Sequence, residues 1–400
     1  MIARPSFDSR VRILYYTHPA LFEPALCLVR ELSRKAEVHL VLEVSPGAWQ
    51  TAGFDLAARQ LPPGLVPGDD VLRDAFPAGV RAYWQSAASF HLAVHPTRRS
   101  IHPTSWKISR RVLTFARDID SDRLHIDDVD ISPRLAIALP GSKRPPMIVT
   151  VHDPEPHSGE RHWRKRLARG LTYPRAQRFI LYNATMQEAF ARRFRISNGA
   201  IHVARLGAYD VFREWMPSHT SPQKPTVLFF GRLSPYKGLD VFYDAARVVA
   251  RRTPGVTFVV AGGRVPGYTP PDPPAVPGSE IEVIDRYISN KETAALFRRA
   301  TVAICPYRDA TQSGVVLTAF AFGVPVVVSN AGALPEYVSA GQTGLVVPVG
   351  DPEATAEATC RILQHPNYRE VLSSNIVKAR DGLLGWQQTA ASVMRAYEDL

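Results

Sequence analysis

Cysteine is scarce in this chain, which has three in 400 residues: Cys27, Cys305 and Cys360. They lie far apart in apolar surroundings and show neither a disulfide framework nor the spacing of a metal site. Long apolar runs are missing as well: no stretch of about 18 apolar residues occurs, so we expect no membrane-spanning helix. No long apolar run precedes the first predicted strand either. We therefore expect a cytoplasmic protein without a signal peptide.

Acidic residues are sparse in the first half of the chain. Residues 1–200 contain 29 Lys and Arg against 19 Asp and Glu, whereas residues 201–400 contain 19 against 18. Two segments have no acid at all: residues 97–117, with six basic side chains, and residues 161–178, with seven. The hydrophobic content of 45% is that of a globular protein, and the length suits two domains of roughly 200 residues. The uneven charge indicates an acidic partner for the first domain.

The basic segment 161–178 has the pattern of an amphipathic helix. Trp163, Leu167 and Leu171 recur at the spacing of one helical face. Basic residues surround this stripe: Arg161, Arg164, Lys165 and Arg169. Two interpretations remain open: the helix, together with residues 97–117, lies on an anionic membrane, or it packs its apolar stripe onto its own domain. Nucleic acid is not expected as a partner, because the aromatic residues are not interleaved for stacking and no recognition motif occurs.

Strand and helix patterns alternate along the chain. In the first half, short buried strands are predicted at residues 11–16, 38–43, 90–94, 123–126, 147–152, 178–182 and 201–204. A helix near residues 25–35 follows the first strand, so the chain opens with a βαβ unit, which is typical of a doubly wound α/β sheet. Residues 44–80 are rich in Pro and Gly and show no clear period. Residues 210–226 are predicted to form the hinge between two domains.

A candidate phosphate site lies early in the second half. The predicted strand Val227–Phe230 ends at Gly231, Arg232 and Lys237 follow it, and Gly238 opens a helix. Open α/β sheets bind ligands at the carboxyl ends of their strands, and phosphate suits a place with two cations and free helix N–H groups. The alternative is a solvated loop that happens to carry two cations.

A second helix start follows in residues 301–336. Val302–Cys305 is a predicted strand, and Ser313 is a good N-cap for the next helix. The small residues Ser313 and Gly314 would let backbone N–H groups come close to an anion. If the two strands are neighbours in the sheet, both helix starts can share one diphosphate. The sequence does not show that adjacency.

The motifs at these two places, GRLxxxKG from Gly231 and GxPVVxSxxGxLPE ending at Glu336, carry a resemblance. They resemble the donor half of GT-B glycosyltransferases, specifically glycosyltransferase family 4 (glycosyl transferases group 1). The resemblance covers most of the C-terminal half, including RYISNKETAALFRRATVAICPY at 286–307, and extends more weakly to IVTVHDPEPHSGE at 148–160. It implies an α/β protein of the GT-B fold, with two doubly wound Rossmann-like domains facing across a cleft.

The resemblance also implies a division of the chain. Residues 1–210 would form the acceptor-binding domain, and residues 211–380 the nucleotide-sugar-binding domain. Residues 381–400, whose tail is periodic enough for a terminal helix, would cross back onto the first domain.

The site residues follow from the same resemblance. In the family, residues at the places of Arg232 and Lys237 hold the nucleotide diphosphate, and the residue at the place of His152 lies beside the donor sugar; these three are the expected catalytic residues. The expected donor-binding residues are Gly231, Asp309, Thr311, Gln312, Ser313, Gly314, Val315, Thr318 and Glu336. The expected base-binding residues are Arg286, Tyr287 and Ile288. No cofactor or metal is expected, because the pair Asp128 and Asp130 alone supplies too few oxygen ligands.

One departure from the family pattern concerns the donor. The usual signature has two glutamates eight positions apart, and Ala310 and Thr318 stand at those positions here. Asp309, next to the first position, is a candidate for the lost carboxylate. The run DATQSGVV resembles a sub-branch of the same family. Thr318 either hydrogen-bonds a ribose hydroxyl or is a plain helix residue.

The resemblance implies transfer of a sugar from a nucleotide-sugar donor to a saccharide or polyprenyl-diphosphate-linked acceptor. The transfer would be retaining and metal-independent and would serve polysaccharide or glycoconjugate biosynthesis. A basic first domain fits an enzyme that acts at the inner face of the plasma membrane. Because both signature glutamates are missing, two alternatives stay open: a non-catalytic nucleotide-sugar-binding protein, and a nucleotide-sugar epimerase of the GT-B fold.

Overall fold

Two mainly parallel β-sheets organise the chain in the computed structural model, which describes residues 10–46, 61–99, 102–128, 132–138, 144–154, 163–215 and 224–400. The strands are β1 Arg12–Thr17, β2 Glu37–Val44, β3 Gly64–Pro67, β4 Ser89–Val94, β5 Arg123–Asp127, β6 Met147–Val151, β7 Arg178–Leu181, β8 Ile201–Val203, β9 Thr226–Phe230, β10 Thr257–Ala261, β11 Glu280–Ile284, β12 Val302–Cys305, β13 Val326–Ser329 and β14 Gly344–Val347. The helices are α1 Phe22–Leu32, α2 Gly68–Leu72, α3 Ala78–Gln85, α4 Pro103–Asp118, α5 Leu135–Ala138, α6 Trp163–Thr172, α7 Gln187–Phe194, α8 Leu239–Arg252, α9 Asn290–Arg299, α10 Gly314–Ala321, α11 Leu334–Tyr337, α12 Pro352–Gln364, α13 Pro366–Asp381 and α14 Trp386–Glu398.

The first sheet contains β1 to β8 in the order β3-β4-β2-β1-β5-β6-β7-β8. Its central strands are apolar on both faces: Ile13 and Tyr15 enter one core cluster, whereas Leu14 and Tyr16 enter another. This is the pattern of a parallel sheet that is covered by helices on both sides. The strand order reverses between β1 and β5, so the carboxyl ends of these two strands form the switch point at which open α/β sheets bind ligands.

The second sheet contains β9 to β14 in the order β11-β10-β9-β12-β13-β14, all parallel. Its order reverses between β9 and β12, which pair directly through Val227 and Val302. The two strands that precede the candidate phosphate loops are therefore neighbours, as the sharing of one diphosphate requires. Two doubly wound sheets in one chain confirm the predicted α/β fold class.

The predicted strands differ from the observed ones by at most two residues at either end. Two elements that were not predicted are a short edge strand and a long helix near the end of the chain. Strand β3 lies in the segment 44–80 that was expected to be irregular, and it pairs antiparallel with β4 at the sheet edge. Helix α13 also went unpredicted, because its exposed positions include Val371 and Val377 and blur the apolar face. Of the expected hinge, residues 210–215 form a 3₁₀ helix and residues 216–223 lie outside the described ranges.

The last helix, α14, packs on the first sheet beside β7 and β8. The hydroxyl of Tyr397 hydrogen-bonds His125 Nδ1, and Arg123 donates to the Tyr397 carbonyl at 3.0 Å. At the start of the helix, Trp386 Nε1 donates to the Ala208 carbonyl. None of the helices in the described ranges combines the length and the apolar character that a bilayer span requires.

Candidate active site between the two sheets

The carboxyl end of β9 brings two loop backbones very close together. Gly231 follows the strand with φ +104°, and Gly262 follows neighbouring β10 with φ +151°. A Cβ atom at Gly262 would lie 2.1 Å from the Gly231 carbonyl oxygen, so no other residue fits there. A Cβ atom at Gly231 would lie 3.3 Å from Lys237 Nζ. The glycines therefore set the path of the loop that carries the two cations.

Lys237 is a buried ammonium at the switch point of the second sheet. It ends the 3₁₀ turn 235–237 and is 8% exposed. Its Nζ donates to the Tyr307 hydroxyl at 2.8 Å and lies 4.2 Å from the centre of that ring. Burial raises the pKa of Tyr307 well above its ordinary value, so the hydroxyl stays neutral and does not cancel the lysine charge. Arg232, on the same connection, is exposed.

The second helix start is capped as the sequence indicated. Ser313 precedes α10, and its Oγ accepts from the Val316 N–H at 3.3 Å. Gly314 also lies against an aromatic ring, because a Cβ atom there would lie 3.1 Å from Cε2 of Tyr209. A larger residue at this position would require the ring to shift. Val315 reaches across, since its Cγ2 would lie 3.4 Å from a Cβ atom at Gly231.

The loop 309–313 joins the second domain to the first. Thr311 is buried and its Oγ1 donates to Asp153 Oδ1 at 2.7 Å. The Thr311 carbonyl accepts from Asn183 Nδ2 at 2.8 Å. Asp153 and Asn183 lie just beyond β6 and β7, so the carboxyl ends of the two sheets meet at this loop. Asp309, at the start of the loop, is half-buried.

Two donor-site candidates carry buried oxygens without a hydrogen bond to the described residues. They are Gln312 Oε1 and Glu336 Oε1. A buried oxygen without a partner is costly, so each is suited to accept from a ligand hydroxyl. Thr318 differs, because its Oγ1 donates to the Gly314 carbonyl at 2.7 Å within α10. Of the two interpretations of Thr318, this contact favours the plain helix residue.

The three base-binding candidates occupy different environments. Arg286 pairs with Glu292 through two hydrogen bonds of 3.1 and 2.5 Å, and Glu292 also completes the capping box of α9. Ile288 is 7% exposed and enters the core cluster. Tyr287 is 45% exposed. Tyr287 is thus the exposed aromatic side chain of this segment.

His152 lies at the carboxyl end of β6 in the first domain, buried beside an acid. Its Nε2 is 3.4 Å from Asp127 Oδ1, and the same oxygen accepts from the Tyr15 hydroxyl at 2.9 Å. Burial pushes the pKa of Asp127 up, but the hydrogen bond and charge of His152 outweigh it and lower that pKa below its ordinary value. His152 Nδ1 is buried and has no hydrogen bond to the described residues. The ring is therefore held at one nitrogen and open at the other.

Asp128, the described member of the candidate metal pair, lies beside two cationic side chains. Asp128 Oδ2 lies 2.9 Å from Lys165 Nζ, and Asp128 Oδ1 lies 3.3 Å from Arg169 Nη2. Asp130 lies outside the described residues. Within the described ranges, no cluster of three or more His, Cys, Asp or Glu side chains has the arrangement of a metal site.

Several residues of the site went unnoticed in the sequence: Tyr307, Asp127 and Asn183. Each follows or ends a strand at the ligand-binding edge of its sheet, and this position is the signal that could have revealed them. Their partners are distant in sequence, as with Asn183 and Thr311, and this is why pattern analysis did not pair them.

Comparison with known proteins agrees with this arrangement. Residues 224–365 match the family model of the glycosyl transferases group 1. A D-inositol 3-phosphate glycosyltransferase from Frankia alni is 33% identical over 181 residues, which are 43% of this chain and 44% of that protein. The match thus spans less than half of the curated relative's length.

Two solved structures share the fold along nearly the whole chain. The sucrose-phosphate synthase of Thermosynechococcus elongatus has a TM-score of 0.63 at 16% identity, covering 98% of this chain and 99% of that one. Anabaena HepE in complex with UDP has a TM-score of 0.63 at 16% identity, covering 98% and 100%. Residues 224–365 are thus similar to the glycosyl transferases group 1, and the described chain shares its GT-B fold with these solved structures.

Proposed function

We propose that this protein transfers a sugar from a nucleotide-sugar donor to an acceptor hydroxyl. The observation that supports this most is the pairing of β9 with β12, which brings buried Lys237 and the capped start of α10 to one switch point. Two anion-binding elements on adjacent strands suit a diphosphate. Arg232 is exposed on the same connection, and its guanidinium would bind the diphosphate together with Lys237 and the N–H groups at the start of α10.

The chemistry follows from the leaving group. When the glycosidic bond breaks, negative charge develops on the phosphate oxygens of the departing nucleoside diphosphate. Lys237, Arg232 and the N–H groups at the start of α10 would stabilise that charge in a cleft with little water. These groups do what a divalent metal does in other glycosyltransferases, so we propose a metal-independent reaction. Gln312 and Glu336 would accept from donor hydroxyls, because their oxygens are buried without partners.

On the acceptor side, we assign His152 the position beside the reacting carbon. Its ring is held by Asp127, and its chain neighbour Asp153 is hydrogen-bonded to Thr311 of the donor loop. We propose retention of the anomeric configuration, with the leaving phosphate helping to deprotonate the acceptor. Proton NMR of the product distinguishes this outcome from inversion, which would instead make His152 the general base.

The donor and acceptor are proposed by class. HepE was solved with UDP, so uridine-diphosphate sugars are the first donors to test. The acceptor is a saccharide or polyprenyl-diphosphate-linked sugar, which places the reaction in polysaccharide or glycoconjugate biosynthesis. A phosphate-bearing acceptor fits the positive charge of residues 1–200. We also propose that the chain represents a sub-branch of the glycosyl transferases group 1, because Ala310 and Thr318 stand at the positions of the usual glutamate pair.

We further propose that the first domain docks on an anionic membrane. On α6, Trp163, Leu167 and Leu171 are 68%, 48% and 36% exposed, so much of the apolar stripe faces solvent. Helix α5 contacts both α6 and α4, and α4 exposes Trp106 together with the basic residues Lys107, Arg110 and Arg111. Tryptophan next to exposed cations suits an anionic bilayer surface, here the inner face of the plasma membrane.

Product analysis tests the reaction. The purified protein is incubated with each of a panel of nucleotide sugars, with and without acceptor, and the products are separated. A new glycoside supports the proposal. An isomerised donor formed without acceptor identifies an epimerase, and diphosphate binding without turnover identifies a non-catalytic binding protein.

Sedimentation with vesicles tests the membrane contact. Binding to phosphatidylglycerol vesicles at low salt, which weakens as salt is raised, is the expected result. A stable dimer in solution with no vesicle binding would instead assign the stripe to a second copy of the chain.

A further inference from the structure

Helix α6 turns two basic side chains inward and its apolar stripe outward. Trp163, Leu167 and Leu171 face solvent, whereas Arg169 is only 3% exposed and Lys165 is half-buried. This is the reverse of an ordinary surface helix, which packs its apolar stripe on the core. Burying a guanidinium is costly unless it is fully paired, so the inward face must form specific contacts.

Arg169 joins two loops at the edge of the first sheet. Its Nη2 donates to the Asp153 carbonyl at 2.7 Å, and its Nη1 donates to the Pro154 carbonyl at 3.1 Å. The same Nη2 lies 3.3 Å from Asp128 Oδ1. Asp128 follows β5 and has φ +41°, a left-handed conformation that is uncommon outside glycine. One planar, forked side chain thus holds the loop after β5 and the loop after β6 together.

These two loops carry the acceptor side of the candidate active site. Asp127 precedes Asp128 and contacts His152. His152 in turn precedes Asp153, whose carboxylate accepts from Thr311 of the donor loop. The backbone that Arg169 holds at residues 153–154 is therefore continuous with the His152 ring and with the contact between the domains.

We propose that Arg169 is a positioning residue that couples an anionic lipid surface, bound on the outer stripe of α6, to the cleft. The stripe and the guanidinium lie on opposite sides of one helix of ten residues, so a helix seated on lipid carries the guanidinium with it. Lipid contact would restrict the motion of α6 and therefore the position of Arg169. The hydrogen bonds of Arg169 would in turn hold the backbone at 152–154 in place. The inference rests on the proposed glycosyl transfer only for its effect on turnover.

The first experiment measures the positioning role. Arg169→Lys keeps the charge but loses the fork, and Arg166→Lys is the matched control, because Arg166 is exposed on the same helix. We expect Arg169→Lys to lower kcat at least tenfold while the Kd for nucleoside diphosphate, which the second domain binds, stays within twofold. A lower Tm with unchanged kcat at 20 °C would show that Arg169 only stabilises the fold and would overturn the proposal.

The second experiment measures the coupling without relying on turnover. Hydrogen exchange of the backbone at 147–154 is compared with and without phosphatidylglycerol–phosphatidylcholine vesicles. We expect vesicles to protect this segment in the wild type, and Leu167→Gln combined with Leu171→Gln to abolish both vesicle binding and the protection. Arg169→Lys should bind vesicles like the wild type and show no protection.

Equal protection in Arg169→Lys and wild type would refute the coupling, and so would vesicle binding without any protection. These outcomes stay readable if no glycoside is formed, because neither measurement depends on catalysis. Absence of transfer with normal coupling would therefore reject the proposed reaction alone.

Discussion

Replacing Lys237 by methionine tests the charge on which the proposed reaction depends. Methionine keeps the length and volume of the lysine stem, so the packing under Gly231 is largely retained. Alanine is a poorer choice, because Lys237 is 8% exposed and truncation of its side chain would leave a cavity.

The size of the effect follows from the position of the ammonium. It is 8% exposed and hydrogen-bonded at 2.8 Å to a neutral hydroxyl, so solvent screens its charge only weakly. Removing one preorganised group that stabilises a developing charge costs about 2–4 kcal/mol, which is about 30-fold to 900-fold in kcat/KM. Tyr307→Phe removes one hydrogen bond of a charged donor and should cost less, about 1.5–3 kcal/mol at most.

The assay measures initial rates against donor concentration, with calorimetric titration of the nucleoside diphosphate and circular-dichroism melting beside it. Lys224→Met is the control. Lys224 is exposed and lies just before the amino end of the same strand β9, at the end away from the candidate site. We expect normal rates for the control and a folded, slow Lys237→Met. If Lys237→Met is folded and turns over within threefold of the wild type, the charge is not needed and the assignment of the diphosphate site is wrong.

Three further predictions concern other parts of the molecule. Thr318→Val should leave donor KM and kcat within about threefold of the wild type, because the hydroxyl is already hydrogen-bonded to the helix backbone. A tenfold rise in KM would show instead that this hydroxyl contacts the ribose. Asp153→Ala removes the carboxylate that accepts from the Thr311 hydroxyl between the domains. Leaving that hydroxyl unpaired costs about 1–3 kcal/mol, so the donor loop should be less ordered and the KM for the donor should rise. An unchanged KM would show that this contact does not order the donor loop. Burial lowers the pKa of His95 and His125 from an ordinary 6.5 to about 4. Between these values the unfolded chain binds more protons, so the free energy of unfolding should fall as pH falls from 6.5 toward 4, by on the order of 3 kcal/mol for each histidine. Urea unfolding at pH 7 and 4.5 measures this, and equal midpoints would contradict it.

Local sequence patterns were sufficient for most of the strands and for the capped start of α10. A short apolar run such as Val302–Cys305 specifies a buried strand wherever it lies in the chain, because burial on both faces leaves little choice. The Ser313 cap depends on residues three positions apart, so it too is readable locally. Strand β3 was missed because a short, half-exposed edge strand has no such signal.

The tertiary structure decided which of these elements meet. Pairing of β9 with β12, the bond of Lys237 to Tyr307 and the contact of Thr311 with Asp153 all join residues far apart in sequence. It also decided how α6 is oriented. The spacing of its apolar residues showed one stripe but not which way the stripe faces, because that depends on buried partners, such as Asp128, that compensate the inward guanidinium of Arg169. Periodicity reports which residues share a face, and only the packed neighbours determine whether that face is covered.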